Sequence, residues 1–179
     1  MKGLKEKSKY LSYLLRHNPQ EVNCDIDKYG WVDVDTLCKN SEFTRDLLDL
    51  IVSNDTRYEF NSDFSKIRAF HGHSVEGVVP HEECVPPVKI YHGTSKKNLE
   101  SIQSDGFIRK MSRNFVHSSY DLDKAKMVGS RHGKPVVLVI DAIRAYGDGV
   151  KFYESGDNVV LSDDLDYKYV MEIIQWLAL

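Results

Sequence analysis

Three short runs of this 179-residue chain each supply an arginine, two of them with a histidine nearby, and this combination is suited to phosphate chemistry. The first run contains Arg16 and His17, the second Arg68, and the third Arg113 with His117 four residues later. An arginine guanidinium stays charged at any working pH and binds phosphate through two parallel hydrogen bonds. A histidine, with an unperturbed pKa of about 6.5, can carry a proton near neutral pH. We predict that these residues bind a phosphate and act on it.

A fourth run, Tyr91 to Thr94, reads Tyr-His-Gly-Thr and predicts a tight turn. Glycine has no Cβ, so a ligand can approach its backbone closely. We therefore expect His92, Gly93 and Thr94 to lie against a nucleotide.

Charge is unevenly distributed along the chain, although the net charge is only −3. This net charge argues against indiscriminate binding of nucleic acid. Positive charge is concentrated near the N-terminus, where a single acidic residue, Glu6, accompanies Lys2, Lys5, Lys7, Lys9 and Arg16. This end is the better candidate for a surface that receives a polyanion.

The three cysteines are widely spaced and form no Cys-x-x-Cys pair, so neither a disulfide framework nor a zinc site is predicted. The histidines show no ligand spacing with cysteine or carboxylate, and we expect no metal. No apolar stretch approaches the roughly 20 residues that span a bilayer, and no signal peptide is apparent. We expect a soluble, cytoplasmic protein without membrane contact.

The elements of the first half must place the arginines of the first two runs. Leucines at helical spacing predict a helix that ends near His17, because the residue before Pro19 disfavours the α region. A short helix through Lys39 follows, capped by Asp33 or Asp35, and a further helix opens at Ser41 or Thr44. The ranges 58–60 and 66–70 alternate apolar and polar residues and predict a β-hairpin. Helices followed by one hairpin are typical of a winged-helix domain.

The pattern changes after a proline-rich linker at residues 80–87. Strands are predicted at 88–91 and 115–118, and helices at 97–104 and from Asp121 to Gly129. The apolar run 135–140 is typical of a strand buried on both faces. Further strands are predicted at 151–153 and 159–161, and the type of the last segment, 169–179, stays open. The fold class is therefore α+β, with lobes at residues 1–79 and 88–179.

Together, the motifs resemble those of the RNA 2′-phosphotransferases of the KptA type. The matching runs span nearly the whole chain in the family's order: Leu11 to Pro19, Gly30-Trp31-Val32, Ile67-Arg68-Ala69, Gly72-His73-Ser74, Tyr91 to Thr94, Arg113 to His117, and Arg131 to Pro135. The chain departs from the family pattern at two places: it has His71 where glutamine is common, and it reads Phe115-Val116-His117-Ser118 where the family usually reads His-Val-His-Leu.

The resemblance implies a winged-helix RNA lobe at 1–79 and an ADP-ribosyltransferase-like NAD lobe at 88–179, with the active site in the cleft between them. The family's catalytic set falls on Arg16, His17, Arg68 and Arg113. NAD is implied as co-substrate and no metal is required. The implied partner is 2′-phosphorylated RNA, tRNA-like and connected with tRNA splicing or RNA repair, and no protein partner is implied.

The implied reaction has two steps. The RNA 2′-phosphate attacks the nicotinamide-bearing ribose carbon of NAD and expels nicotinamide, and the ribose 2″-hydroxyl then attacks that phosphate. The products are RNA with a free 2′-hydroxyl and ADP-ribose 1″,2″-cyclic phosphate. The arginines would aim the phosphate and hold its charge, and His17 would carry the proton of the second step. His92, Gly93 and Thr94 would contact NAD, with His117 in the same pocket.

Each of these residues also has a purely structural interpretation. Arg16 and His17 would compensate the dipole at a helix C-terminus, Arg68 would be a solvated strand residue, and Arg113 would be one charge of a loop. His92 would be a strand histidine bonded to backbone, and His117 would lie on a core face by chance.

Two other functions remain open. One is an ADP-ribosyltransferase that modifies protein or nucleic acid without the second step. The other is a winged-helix nucleic-acid binder whose C-terminal half senses a nucleotide. Neither function needs Arg16, His17 and Arg68 in the N-terminal half, which favours the phosphotransferase.

Overall fold

The computed structural model describes residues 2–79, 81–131 and 133–176. Parts of the predicted linker, of the run at residues 131–135 and of the last segment lie outside these residues. The chain divides into two compact units. The first comprises the residues up to His81 together with Ser112–Asn114, and the second comprises Glu82–Met111 and the residues from Phe115 onward. Arg113 thus belongs to the first unit, although it lies far along the sequence.

The first unit consists of helices and one small antiparallel sheet. Its elements are α1 (Lys2–Arg16), a 3₁₀ turn (Pro19–Val22), β1 (Val32–Asp33), α2 (Val34–Asn40), α3 (Arg45–Asn54), β2 (Tyr58–Phe60) and β3 (Lys66–Ala69). The strand order is β1-β3-β2. The hairpin of β2 and β3 and all three helices lie where the sequence predicts them.

The helix starts follow from local chemistry. The Asp33 side chain accepts a hydrogen bond from the Thr36 backbone N–H at 2.7 Å, and Thr44 caps α3 in the same way through Leu47. The apolar side of α1 packs into a core built from all these elements. That core includes Leu11, Leu14, Leu15, Leu37, Leu48, Ile51 and Ile67, each at most 1% exposed.

A polar network fixes α1 against the segment that leads into the hairpin. Ser8 of α1 donates to Asp55 at 2.6 Å, Arg57 binds the same carboxylate, and the Tyr58 hydroxyl donates to the Ser8 carbonyl at 2.5 Å. Although burial alone raises it, the hydrogen bonds from Arg57 and Ser8 lower the pKa of Asp55 to about 2. This network holds the helix that carries Arg16 in place.

The second unit consists of antiparallel sheets flanked by helices. Its elements are β4 (Lys89–Ser95), α4 (Lys96–Asp105), β5 (Phe107–Ile108), β6 (Val116–Ser119), α5 (Leu122–Ser130), β7 (Pro135–Asp141), α6 (Ala142–Gly147), β8 (Phe152–Ser155), β9 (Val159–Ser162), β10 (Leu165–Asp166), a 3₁₀ turn (Tyr167–Tyr169) and β11 (Val170–Gln175). Six strands form one sheet in the order β11-β7-β4-β6-β9-β8, and β10 pairs with β5. The mixture of helices and antiparallel sheets confirms the α+β class. No helix in the described part of the chain is long and apolar enough to cross a membrane.

The predicted turn at residues 91–94 is wrong, because these residues continue β4. The strand pairs with β7 along its whole length, from Lys89 opposite Asp141 to Ser95 opposite Pro135. Glycine at position 93 has a packing reason: a Cβ there would stand 1.9 Å from the Ala125 carbonyl oxygen of α5. Gly129 lies on the helix side of the same contact, and a Cβ added there would stand 2.5 Å from the Thr94 carbonyl oxygen. The two glycines let α5 lie directly on β4.

We predict that Gly93→Ala destabilises the protein by at least about 2 kcal/mol, because the added methyl group meets backbone atoms that cannot move aside easily. The measurement is the free energy of unfolding in denaturant. The matched control is Gly147→Ala at the end of α6, where no atom lies within 4 Å of the added Cβ. Equal stability of the two variants would contradict the packing explanation of Gly93.

Candidate active site

The first unit gathers positive charge at the C-terminal end of α1. Arg16 is the last residue of this helix, and its Nε and Nη2 atoms are buried without a hydrogen-bond partner among the described residues. Burial, assisted by the like charges of Arg57 and Arg113, lowers the pKa of Arg16 to about 10. The guanidinium remains charged at neutral pH. Buried donors without partners are rare in proteins, so these two nitrogens point to an anionic ligand.

His17 follows directly and is held by Ser74. The His17 Nδ1 atom lies 2.9 Å from the Ser74 hydroxyl, and the Ser74 backbone N–H donates to the Arg16 carbonyl oxygen at 2.9 Å. Ser74 therefore fixes both members of the Arg-His pair. Partial desolvation and the charges of Arg16 and Arg113 lower the pKa of His17. Its imidazole is accordingly neutral at pH 7, the form that accepts a proton.

The segment beneath this pair is Gly72-His73. The φ of Gly72 is +93°, a backbone conformation that favours glycine, and its Cα lies so near Arg16 that a Cβ would be in van der Waals contact with the side chain, 3.4 Å from Cδ and 3.5 Å from Cζ. The His73 side chain is 3% exposed. Burial and the nearby charges, first Arg16 and then His17, lower the pKa of His73 to about 3. A neutral imidazole therefore lies amid the cations.

Arg113 reaches this cluster through its neighbour Asn114. The Asn114 backbone N–H donates to the His73 carbonyl oxygen at 2.9 Å, and its side-chain amide donates to the carbonyl oxygens of Val75 and Val78 at 2.7 and 3.0 Å. These three bonds attach the 112–114 segment to the first unit. The charge of Arg113 is among the causes that lower the pKa values of both Arg16 and His17, as a neighbouring cation does.

Arg68 is oriented by three neighbours. On β3, its Nε and Nη2 atoms contact Glu59 Oε1 at 2.6 and 2.5 Å, and its Nη1 donates to the Tyr29 carbonyl oxygen at 3.2 Å. The guanidinium also lies 4.3 Å from the centre of the Trp31 ring. With 15% of its side chain exposed, Arg68 is not a solvated strand residue. Its charge contributes to the lowered pKa of His73.

All four residues predicted as catalytic thus lie in one unit. The charges of Arg16 and Arg113 act on His17, and the charges of Arg16 and Arg68 both act on the neighbouring His73. Three further residues, His73, Ser74 and Asn114, hold this arrangement, and sequence reasoning assigned them no role. Gly72-His73-Ser74 stood out only as a matching run. The signal that could have identified Asn114 is its position directly after Arg113, because asparagine side chains commonly bond to backbone in loops.

The residues predicted to bind a nucleotide lie in the six-stranded sheet of the second unit. β4 pairs with β7 over seven residues but with β6 only at Tyr91 opposite Ser119. β6 in turn pairs with β9 over its four residues. The sheet therefore consists of two three-stranded halves, β11-β7-β4 and β6-β9-β8, which are joined at the Tyr91–Ser119 pair. His92 is the next residue of β4 after this pair.

His92 bridges the two halves through its side chain. Its Nδ1–H donates to the His117 carbonyl oxygen at 3.0 Å, since a carbonyl can only accept. Burial lowers the pKa of His92, so the imidazole is neutral and its Nε2 is an acceptor. The structural interpretation, a strand histidine bonded to backbone, describes this contact correctly.

His92 and His117 do not share a face of the sheet. In β4, His92 alternates with Ile90 and Thr94, and it lies opposite Leu138 on the side of the unit's apolar core. His117 lies on the opposite face, because it is two residues from Ser119 in β6 and Ser119 pairs with Tyr91, the neighbour of His92. The Nδ1–H of His117 donates to the Phe115 carbonyl oxygen at 3.0 Å. Thr94, 4% exposed, is on the His92 side.

No group of three or more His, Cys, Asp or Glu side chains that could hold a metal ion occurs within residues 2–79, 81–131 and 133–176. The three cysteines are free thiols. The polar groups at the end of α1 are thus cations and neutral imidazoles.

Comparison with known proteins gives a consistent result. Residues 2–164 match the family model described as RNA 2′-phosphotransferase, Tpt1/KptA family. Relatives named "Probable RNA 2′-phosphotransferase" include a Flavobacterium johnsoniae protein, 42% identical over 91% of this chain and 93% of its own length. A Nostoc punctiforme relative is 43% identical over 93% and 95%, and an Escherichia coli relative 36% identical over 98% and 97%.

We predict that His73 makes the protein sensitive to acid. Its pKa is about 3 in the folded protein and about 6.5 when unfolded. Between these values only the unfolded chain binds this proton, so its contribution to stability is complete above pH 6.5 and falls by about 1.4 kcal/mol per pH unit below it. Unfolding free energies at pH 7.5 and 5 should therefore differ more in the parent than in His73→Gln. The same pH dependence in both proteins would exclude this role.

Proposed function

The chain belongs to the Tpt1/KptA family of RNA 2′-phosphotransferases, and we propose that it removes an internal RNA 2′-phosphate onto NAD in two steps. The observation that carries this proposal is the pair of buried, unpartnered Arg16 nitrogens beside His17 and within the field of Arg113. A bound phosphate monoester would supply both the missing acceptor atoms and the compensating charge. Family membership identifies that phosphate as one carried by RNA.

The first step needs positioning rather than a base. A phosphate oxygen forms a bond to the ribose carbon that carries nicotinamide, and nicotinamide leaves with the electrons of the broken glycosidic bond. Because the phosphate is already an anion, the task of Arg16, Arg68 and Arg113 is to hold it in line with that carbon. Arg68 suits this task because Glu59 and Trp31 leave its guanidinium little freedom to rotate.

The second step requires a proton carrier. The ribose 2″-hydroxyl attacks phosphorus, the bond to the RNA 2′-oxygen breaks, and that oxygen takes up a proton. His17 is suited to accept the hydroxyl proton because its lowered pKa keeps it neutral. The arginines stabilise the charge on the transferring phosphoryl group. The products are RNA with a free 2′-hydroxyl and ADP-ribose 1″,2″-cyclic phosphate.

We propose the second unit as the NAD-binding part, at the split of its sheet. Support comes from the single register position that joins β4 and β6 and from the acceptor Nε2 of the half-buried His92 beside it. The ADP-ribosyltransferase-like and winged-helix descriptions of the two units belong to this proposal. For the first unit, three helices followed by the β2–β3 hairpin support it. A tRNA-like substrate and a cytoplasmic location are the corresponding expectations.

The test incubates the protein with NAD and a short RNA that carries one internal 2′-phosphate. We expect loss of the 2′-phosphate with formation of cyclic-phosphate ADP-ribose, detected by mass spectrometry. Arg113→Ala and Arg68→Ala should each lower the rate on the order of 10²–10³-fold, the usual effect of losing one charge-stabilising contact. The control is Arg109→Ala, four residues from Arg113 but ion-paired with Asp105 and Asp164. Near-normal turnover of Arg113→Ala would exclude the phosphate-clamp role.

We predict that His17→Ala accumulates RNA-phospho-ADP-ribose, because the first step needs no base. Ser74→Ala should show a milder form of the same defect. General acid–base catalysis contributes about 10²–10⁴-fold, and a misoriented His17 should lose part of this, about tenfold in the second step alone. Ser74→Thr keeps the hydroxyl and should restore the rate.

Ser53→Ala, which removes an exposed hydroxyl of α3, is the control for Ser74. The pH profile of the second step should move in Ser74→Ala, because the Oγ contact to His17 Nδ1 affects its protonation. A variant that slows both steps equally, with an unchanged pH profile, would indicate a merely structural role for Ser74.

A further inference from the structure

Two exposed tyrosines lie next to the cationic cluster of the first unit, one beside His17 and one beside Arg68. Tyr13 is 41% exposed and Tyr29 is 46% exposed. Large aromatic side chains exposed to this extent forgo the stabilisation that burial of their apolar surface would give. Neither ring is used in the proposed chemistry.

Tyr13 ends a stack of rings that rises from the core. Phe43, 1% exposed, stacks on Tyr10 with ring centres 5.9 Å apart, and Tyr10 stacks on Tyr13 at 6.4 Å, both with an interplanar angle of 18°. The Tyr13 hydroxyl accepts from the Asn18 side-chain amide at 2.9 Å. Its ring centre is 6.4 Å from that of His17. The exposed ring is therefore held rigidly, and one more planar group would extend the stack.

Tyr29 lies on a fixed turn. The Asp27 carboxylate accepts from the backbone N–H groups of Tyr29 and Trp31 at 2.9 and 3.0 Å, and the carbonyl oxygen of Tyr29 accepts from Arg68. The Lys28 ammonium lies 4.7 Å from the centre of the Tyr29 ring. A second exposed aromatic ring, accompanied by a cation, is thus carried by the turn whose backbone contacts Arg68.

Positive charge accompanies Tyr13 as well. Lys9 lies one helical turn before Tyr13 on the exposed side of α1, and it has no ion-pair partner in the described part of the chain. Aromatic rings flanked by lysines are the usual surface for unpaired nucleotides, because bases stack on the rings and the lysines neutralise the backbone phosphates.

We propose that Tyr13 and Tyr29 are stacking platforms for the two unpaired bases that flank the 2′-phosphorylated nucleotide, one on each side. The inference rests on the proposed function in one respect, namely that the 2′-phosphate binds at Arg16 and Arg113. An internal 2′-phosphate always has a neighbouring nucleotide on each side, and the two rings, one next to His17 and one on the turn that contacts Arg68, supply one platform for each neighbour. The ligand is single-stranded RNA at this point, since paired bases cannot stack on the protein.

The test measures equilibrium binding of a short unpaired RNA with one internal 2′-phosphate to the full-length chain, without NAD, by fluorescence anisotropy. Tyr13→Ala and Tyr29→Ala should each weaken binding about tenfold, within the range for loss of one base–aromatic stack. Tyr13→Phe and Tyr29→Phe keep a ring and should bind within about threefold of the parent. Phe64→Ala is the control, because Phe64 is 58% exposed on the same unit and has no part in the proposal.

Abasic RNAs assign the contacts. Replacing the flanking nucleotide on one side by an abasic ribose should remove the effect of one tyrosine variant, and the same change on the other side should remove the effect of the other. Fluorescence of 2-aminopurine at each flanking position should fall on binding to the parent and not to the matching alanine variant. Binding within twofold of the parent for both alanine variants would overturn the proposal. Losses that persist on RNA abasic at both positions would also overturn it.

The outcomes separate this inference from the proposed function. The quantity compared is the ratio of the affinities for phosphorylated and unphosphorylated RNA. If this ratio is the same in Arg113→Ala as in the parent, the phosphate site itself is wrong. If that ratio falls while the tyrosine variants bind normally, the phosphate site stands and the stacking platforms do not. Equal binding of a fully paired duplex would indicate recognition of helical RNA instead and would overturn the proposal as well.

Discussion

The structure of the first unit depends on keeping positive charge concentrated at the end of α1. A buried guanidinium is unfavourable without hydrogen-bond partners, and two nitrogens of Arg16 lack them within the described residues. Arg113 adds to the repulsion, as the lowered pKa of Arg16 records. Such an arrangement persists only where surrounding contacts fix it. The free-energy cost of holding the cations together is then borne by folding, and anion binding does not have to supply it.

The fixing contacts come from neutral groups. The three hydrogen bonds of Asn114 attach the loop that carries Arg113, and Ser74 bonds both the Arg16 carbonyl and the His17 ring. His73 is buried near these cations without adding charge, because its pKa is too low for protonation near neutrality. If its ring carried a proton, it would add a further buried cation. The chemistry of the cluster thus relies on residues that take no direct part in it.

The second unit follows a different constraint, namely close packing of a helix on a strand. Gly93 and Gly129 remove the side chains that would separate α5 from β4. β4 in turn joins the two halves of the sheet at one register position, where the His92 side chain bonds the His117 carbonyl. A rigid β4 therefore positions His92 at the split of the sheet. The same glycine that looked like a ligand contact serves the scaffold.

The sequence by itself determined most elements, because their signals are local. Leucine spacing and the Asn18-Pro19 step define α1, side-chain oxygens at Asp33 and Thr44 start the next helices, and alternation predicts the hairpin. Residue types and order also identified the family, and they singled out Arg16, His17, Arg68 and Arg113. Tertiary structure decided what depends on distant partners: the strand conformation of residues 91–94, the separate faces of His92 and His117, and the place of Arg113 in the first unit. Three bonds from one asparagine fix that place, and no local pattern in the sequence encodes their acceptors.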